Sequence, residues 1–186
     1  MPAAGASPHV ILVGLPGSGK TSVGQAVAVQ LRRAFLDFDQ EIERREGQPV
    51  RRIFAERGEA YFRSLERRLT EEMRAAGVGM ILAPGGGWVT IPGVVDLVRP
   101  PSVVVYLAAR PETALRRMGA LRDRRPLLAE SDPLVALRRL LTERGQLYEA
   151  AADVVIDTEP LDLQGVIRTV VDRISLFGGT KIMPVG

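Results

Sequence analysis

The chain has 186 residues, 46% hydrophobic and 25% charged, globular averages that exclude disordered and fibrous classes. Cysteine is absent, which removes disulfides, thiolate metal sites and cysteine nucleophiles together. The net charge of +3 hides an imbalance: the only lysines are Lys20 and Lys181, and the arginines alternate with glutamates on helix-like segments rather than with aromatics, so nucleic acid is not an expected partner.

Residues 9–14, HVILVG, form an unbroken apolar run ending in glycine, as expected of a strand buried on both faces of a parallel sheet. GLPGSGKT follows at 14–21, and over 20–33 Val23, Val27 and Leu31 recur at helical spacing. The pattern G-x-x-x-x-G-K-[ST] between a strand and a helix needs its glycines because backbone N–H groups must converge on phosphate oxygens, which a Cβ would obstruct. In that setting Lys20 reaches the β- and γ-phosphates, the Thr21 hydroxyl binds Mg²⁺, and the helix dipole favours the same anion.

A short strand near 34–38 brings Asp37 and Asp39 to its C-terminal end. Residues i and i+2 of a strand point the same way, so both carboxylates are expected to face the crevice at the strand ends. One would hold Mg²⁺, directly or through water, while the other accepts a proton or hydrogen bond from a substrate hydroxyl; alternatively Asp39 caps the next helix. Helices are expected at about 39–46, from Pro49 onward, and at 59–76 with Phe62, Leu65, Leu69 and Met73 inward.

A strand at 79–83 runs into Ala83-Pro84-Gly85-Gly86-Gly87. Many phosphate-loop ATPases place an acidic metal ligand there, but this chain does not. The glycines instead offer bare N–H groups to a substrate oxygen or the transferring phosphoryl group, or else make only a tight turn. Strands at 102–107 and 153–157 and helices at 111–119, 133–150 and 162–176 complete the alternation. It implies right-handed crossovers and an α/β fold, a three-layer α/β/α sandwich with a central five-stranded parallel sheet.

Residues 120–132 carry three arginines and a proline without periodicity, which predicts a mobile loop. Arg125, just before Pro126, is placed to close over the reacting phosphoryl group and exclude water. Arg63 and Arg144 fall on helices, where spacing alone reads equally well as surface arginine. His9 is expected at the surface or a strand edge, Trp88 as pocket wall or core anchor, and Tyr148 packed one turn from Arg144. No stretch reaches the ~18 apolar residues of a membrane span, and MPAAGASPHV lacks a leader pattern, so the expectation is a soluble, cytoplasmic protein. It is read as one domain over 1–176, with a lid at about 119–132 and a flexible tail at 177–186.

In order and spacing, GLPGSGKT, LDFD, GEAYFRSLE, PGGGWVT, RDRRPLL and ERGQLYEAAA resemble the shikimate kinases, from about Val10 to Asp157. The FR-containing helix, the triple glycine and the RPLL segment separate that group from adenylate and other nucleoside monophosphate kinases. The resemblance implies a P-loop kinase fold and a monomer that phosphorylates the 3-hydroxyl of shikimate, with ATP as co-substrate and Mg²⁺. It implies nucleotide contacts at Gly17, Ser18, Gly19, Lys20, Thr21 and Ser22, with Arg117 stacked on adenine and Arg125 on the lid, and metal contacts at Thr21 and Asp37. Shikimate would meet Asp39, Phe62, Arg63, Gly85, Gly86, Gly87 and Arg144, within a substrate-binding region of about 38–66 and these later loops. Arg63 and Arg144 would pair with its carboxylate, and Asp39 would contact ring hydroxyls and serve as base; Lys20, Asp39 and Arg125 are the implied catalytic set.

Phe38 departs from the family's usual Ser or Thr, and Pro84 from the small polar residue often found there. TEPLD after Asp157 lacks an arginine that some members place near adenine. Two alternatives stand beside this reading: a related small-molecule kinase such as gluconate kinase, whose acceptor also bears a carboxylate and hydroxyls, or a non-catalytic sensor of a ring acid.

Overall fold

Five parallel strands form one sheet in the order β2-β3-β1-β4-β5: β1 (Val10–Val13), β2 (Phe35–Asp37), β3 (Ile81–Ala83), β4 (Val103–Ala108) and β5 (Val154–Asp157). The computed structural model describes residues 8–119 and 132–177. Central β1 is buried along its whole length because its side chains feed two cores. Ile11 and Val13 join Leu82, Val104 and Tyr106 on one face; Val10 and Leu12 join Ile81, Val105, Leu107 and Ile156 on the other. Two packed faces on one sheet make the three layers that the alternating elements implied.

Helices α1 (Lys20–Leu31) and α7 (Leu163–Ser175) cover the second face through Val23, Val27, Val166, Ile167, Val170 and Ile174. The first face is covered by α2 (Phe38–Glu46), α3 (Val50–Ala75), α4 (Val94–Val98), α5 (Pro111–Met118) and α6 (Pro133–Ala151), together with a 3-10 turn at Trp88–Thr90. Their starts are encoded locally. The Asp37, Asp132 and Asp162 side chains accept from backbone N–H groups of α2, α6 and α7 respectively, and Pro111 and Pro133 begin α5 and α6.

Several details differ from the sequence expectations. Phe38 is the first residue of α2 and Asp37 its cap, so Asp39 is helical; the two aspartates do not share a strand. The helix from Pro49 and the one at 59–76 run on as α3, interrupted only at Gly58, whose φ of 80° and ψ of 169° break the helix. His9 is buried: its Nε2 lies 2.9 Å from the Met73 carbonyl oxygen and its Nδ1 accepts from Met80 N–H, tying β1 to α3 and to the start of β3. Burial holds its pKa below the ordinary histidine value. The turn at Trp88–Thr90 and five-residue α4 were not anticipated; VVDLV is too short to show a helical period.

Candidate functional site

The chain leaves β1 for β2 and β3 on one side, then crosses to β4 and β5 on the other, which makes the C-terminal end of β1 a topological switch point where such sheets bind ligands. GLPGSGKT leaves that end, the triple glycine leaves neighbouring β3, and Asp37 ends β2 in register with Ala83. Sheet order thus converges three segments far apart in the chain. A cavity of about 360 Å³ opens there, lined by Gly17, Ser18, Gly19, Lys20, Thr21, Ser22, Asp37, Asp39 and Arg117, and on the β3 side by Ala83 and Pro84 rather than the glycines themselves.

The phosphate loop is built by its glycines. Gly17 and Gly19 have φ of 82° and 101°, and a Cβ on Gly17 would lie 2.3 Å from the Ala114 carbonyl oxygen. Helix α1 begins at Lys20 with no side-chain cap and no acidic residue in its first turn, leaving its N–H groups and dipole directed at the crevice. Ser18 Oγ is buried without a hydrogen-bond partner, and Lys20 Nζ folds back to donate to the Gly14 and Leu15 carbonyls, both at 2.9 Å. A backbone cradle, an orphaned hydroxyl and an ammonium resting on loop carbonyls fit a polyphosphate.

Thr21 Oγ1 donates to Asp37 Oδ2 at 2.6 Å, which brings the two expected Mg²⁺ ligands together. No group of three or more His, Cys, Asp or Glu side chains capable of holding a metal occurs among the described residues. One hydroxyl and one carboxylate suit Mg²⁺, which takes one or two protein oxygens and fills its shell from phosphates and water. At the opposite end, Arg117 donates to Thr158 Oγ1 at 2.9 Å and to the Thr158 carbonyl at 3.1 Å. Beside it Met118, Leu163 and Val166 give the crevice an apolar wall.

Behind the glycines lies a charged cluster. Gly85 N–H donates to Glu66 Oε1 at 3.0 Å, and Glu66 Oε2 accepts from Arg63 Nη1 at 2.5 Å. Glu66 is fully buried, and burial pushes its carboxyl up to about 7 against the opposing pull of Arg63, with the nearby Asp39 charge adding to the rise. The Arg63 guanidinium is flanked by the Phe62 and Phe54 rings, at 5.6 and 6.0 Å from their centroids, and presses on Gly87, where a Cβ would lie 2.0 Å from Nη2. Arg144 reaches the same cluster from α6, with its Nη2 3.9 Å from the Glu59 Oε1 that Arg63 Nη2 contacts at 2.7 Å. Tyr148, one turn after Arg144, hydrogen-bonds with it and donates to the Gly86 carbonyl at 2.5 Å; burial pushes its hydroxyl up to about 12, so it stays protonated.

Asp39 joins crevice and cluster: it lines the cavity, and its Oδ1 lies 3.2 Å from where a Gly85 Cβ would be. Of the cluster behind the glycines, Glu66 lies close enough to feel its charge. Phe62 is buried in the core with its ring against the Arg63 guanidinium, and like Arg63, Arg144 and the three glycines it is not among the residues lining the cavity. Phe38 is likewise a core residue and is not among the residues lining the cavity. Trp88 is a core anchor, its Nε1 donating to Thr70 Oγ1 at 2.9 Å. Arg125 and most of the expected lid lie outside the described residues.

Sequence reasoning assigned no role to Glu66. Its signal was present: Phe62, Glu66, Leu69 and Met73 share one helical stripe, where a charged member must find partners.

The shikimate kinase family model matches residues 16–175. A curated shikimate kinase of Moorella thermoacetica is 41% identical over 171 residues, covering 91% of this chain and 95% of that protein. Among solved structures, a shikimate kinase from Acinetobacter baumannii in complex with shikimate superposes with a TM-score of 0.85 at 34% identity, covering 95% of this chain and 96% of its own. A gluconokinase from Sinorhizobium meliloti, with a TM-score of 0.61 and 16% identity over 93% of this chain and 94% of its own, shares the fold alone.

Proposed function

The chain belongs to the shikimate kinase family, and from that premise we propose how its crevice and its buried arginine pair divide the work of the reaction. The activity is ATP-dependent phosphorylation of the 3-hydroxyl of shikimate, with ATP as co-substrate. The alternative of gluconate as acceptor is not favoured, since the gluconokinase likeness extends only to the fold.

The nucleotide's phosphates lie in the 17–22 loop. Lys20 leaves its carbonyl partners to follow the negative charge on the β- and γ-phosphates as it shifts during transfer. Thr21 and Asp37 hold Mg²⁺, which neutralises phosphate charge when bound. Arg117, fixed by Thr158, lies against the adenine beside Leu163 and Val166. Shikimate sits with its carboxylate on Arg63 and Arg144 and its ring hydroxyls toward Asp39, and the Gly85, Gly86 and Gly87 backbone bounds it from the β3 side. Asp39 accepts the proton of the attacking 3-hydroxyl, and Arg125, assigned from its sequence pattern, completes the catalytic set. This reading retains the sequence expectations of one unit over 1–176, a lid at 119–132, a tail at 177–186, a monomer and a cytoplasmic setting.

The observation that carries the assignment is the convergence of two nearly buried arginines, from α3 and α6, on one carboxylate oxygen beside the strand-end crevice. A small anionic acceptor needs such a pair to be both bound and oriented. Phosphorus NMR of a reaction with MgATP and shikimate tests it: beside ADP, a phosphate monoester coupled to the C3 proton is expected, and ADP with inorganic phosphate and no monoester would contradict acceptor positioning.

A further inference from the structure

Arg63 is held by two carboxylates of different character. Glu66 is fully buried and also bound by Gly85 N–H, so it is a fixed support. Glu59 is 45% exposed, and its Oε1 takes Arg63 Nη2 at 2.7 Å and Nε at 3.2 Å while lying 3.9 Å from Arg144 Nη2. It follows Gly58, where the helix breaks, and so heads the second stretch of α3. Glu59 therefore reaches from solvent to a point shared by both arginines, on the guanidinium edge that Glu66 leaves open.

We propose that Glu59 is a built-in competitor, a carboxylate of the chain that occupies the acceptor's carboxylate subsite and must be displaced on binding. This rests on the assignment of the acceptor carboxylate to Arg63 and Arg144. A carboxylate accepts through the Nε/Nη2 edge of a guanidinium, and that edge cannot serve two carboxylates at full strength. The device raises selectivity. An acceptor that also offers hydroxyls to Asp39 recovers the cost of displacing Glu59, whereas a simple carboxylate such as acetate gains only what Glu59 already supplies. As an ordinary helix pair of residues i and i+4, Glu59 would do no more than orient Arg63, and its loss would weaken acceptor binding.

The test is Glu59→Gln in the full chain, a conservative change at a half-exposed position. The KM for shikimate is expected to fall about two- to five-fold, the scale of a half-exposed ion pair. Acetate is expected to become a competitive inhibitor against shikimate and to raise the variant's melting temperature but not that of wild type. A higher or unchanged KM, with acetate equally inert toward both proteins, would overturn the proposal. If wild type failed to phosphorylate shikimate while acetate still stabilised only the variant, the acceptor's identity would fall and the competitor role would stand.

Discussion

Arg63 is gripped by Glu66 and flanked by two aromatic rings, contacts that remain when Glu59 is displaced, so its position is set before any acceptor arrives. Preorganisation of this kind makes a charged contact strong, because little ordering remains to be done on binding. Replacing it by alanine is expected to raise the KM for shikimate about ten- to hundred-fold, the range for hydrogen bonds to charged groups. The KM for MgATP should change little, because the phosphate loop makes none of Arg63's contacts; steady-state kinetics with each substrate varied in turn would show the split, and equal loss of both would contradict it. Glu66 carries a pH signature. Its carboxyl is raised to about 7 in the folded chain against 4.5 as its reference, so between those values the native state keeps a proton that the unfolded chain has lost. Stability therefore declines as pH rises through that window, by about 3 kcal/mol at the limit for this one group. Glu66→Gln lacks the titration. Denaturant unfolding at pH 4.5 and 7.5 should show the variant gaining on wild type at the higher pH, and a pH-independent difference would refute the raised value.

The functional groups are brought together by elements whose placement follows from simple patterns: an apolar β1, an amphipathic α3 and a glycine turn after β3. The phosphate loop was legible because its motif needs backbone geometry that only glycine permits, and the strand before it and helix after it were equally plain. The aspartates were legible as a pair but not in their geometry. Asp37 caps α2, which turns Asp39 into the crevice by a helical step that strand alternation does not describe. The convergence of Arg63 and Arg144 was not legible from spacing, because it depends on α3 and α6 packing beside the 3-10 turn over one sheet face. Resemblance to a family supplied it instead. Gly87 shows what the turn contributes, for a Cβ there would lie 2.0 Å from Arg63 Nη2. Gly87→Ala is expected to displace that flexible end and raise the shikimate KM about tenfold, with circular dichroism unchanged; an unaltered KM would mean that the guanidinium sits elsewhere when the acceptor binds.

Across the whole molecule, the sheet order β2-β3-β1-β4-β5 decides the chemistry by putting three strand ends side by side. The alternation of elements revealed the layers, but strand order is a tertiary result of the crossovers and appears in no single segment. The proposed assignment puts nucleotide and acceptor on different residues of the chain, so each ligand should stabilise it independently. A ligand at a hundred times its Kd adds about 2.7 kcal/mol. Thermal melts should show Lys20→Ala losing the stabilisation by MgATP while keeping that by shikimate, and Arg63→Ala the reverse; loss of both in either variant would indicate a damaged fold. The central claim is that the strand-end crevice and the arginine pair together phosphorylate shikimate. Its most direct test is ADP release from MgATP with shikimate, with gluconate or with no acceptor, using Lys20→Ala as control. Rapid release with shikimate alone, reduced at least about a hundred-fold in the variant, is the result this structure predicts. Release that ignores the acceptor, or that only gluconate supports, would contradict it.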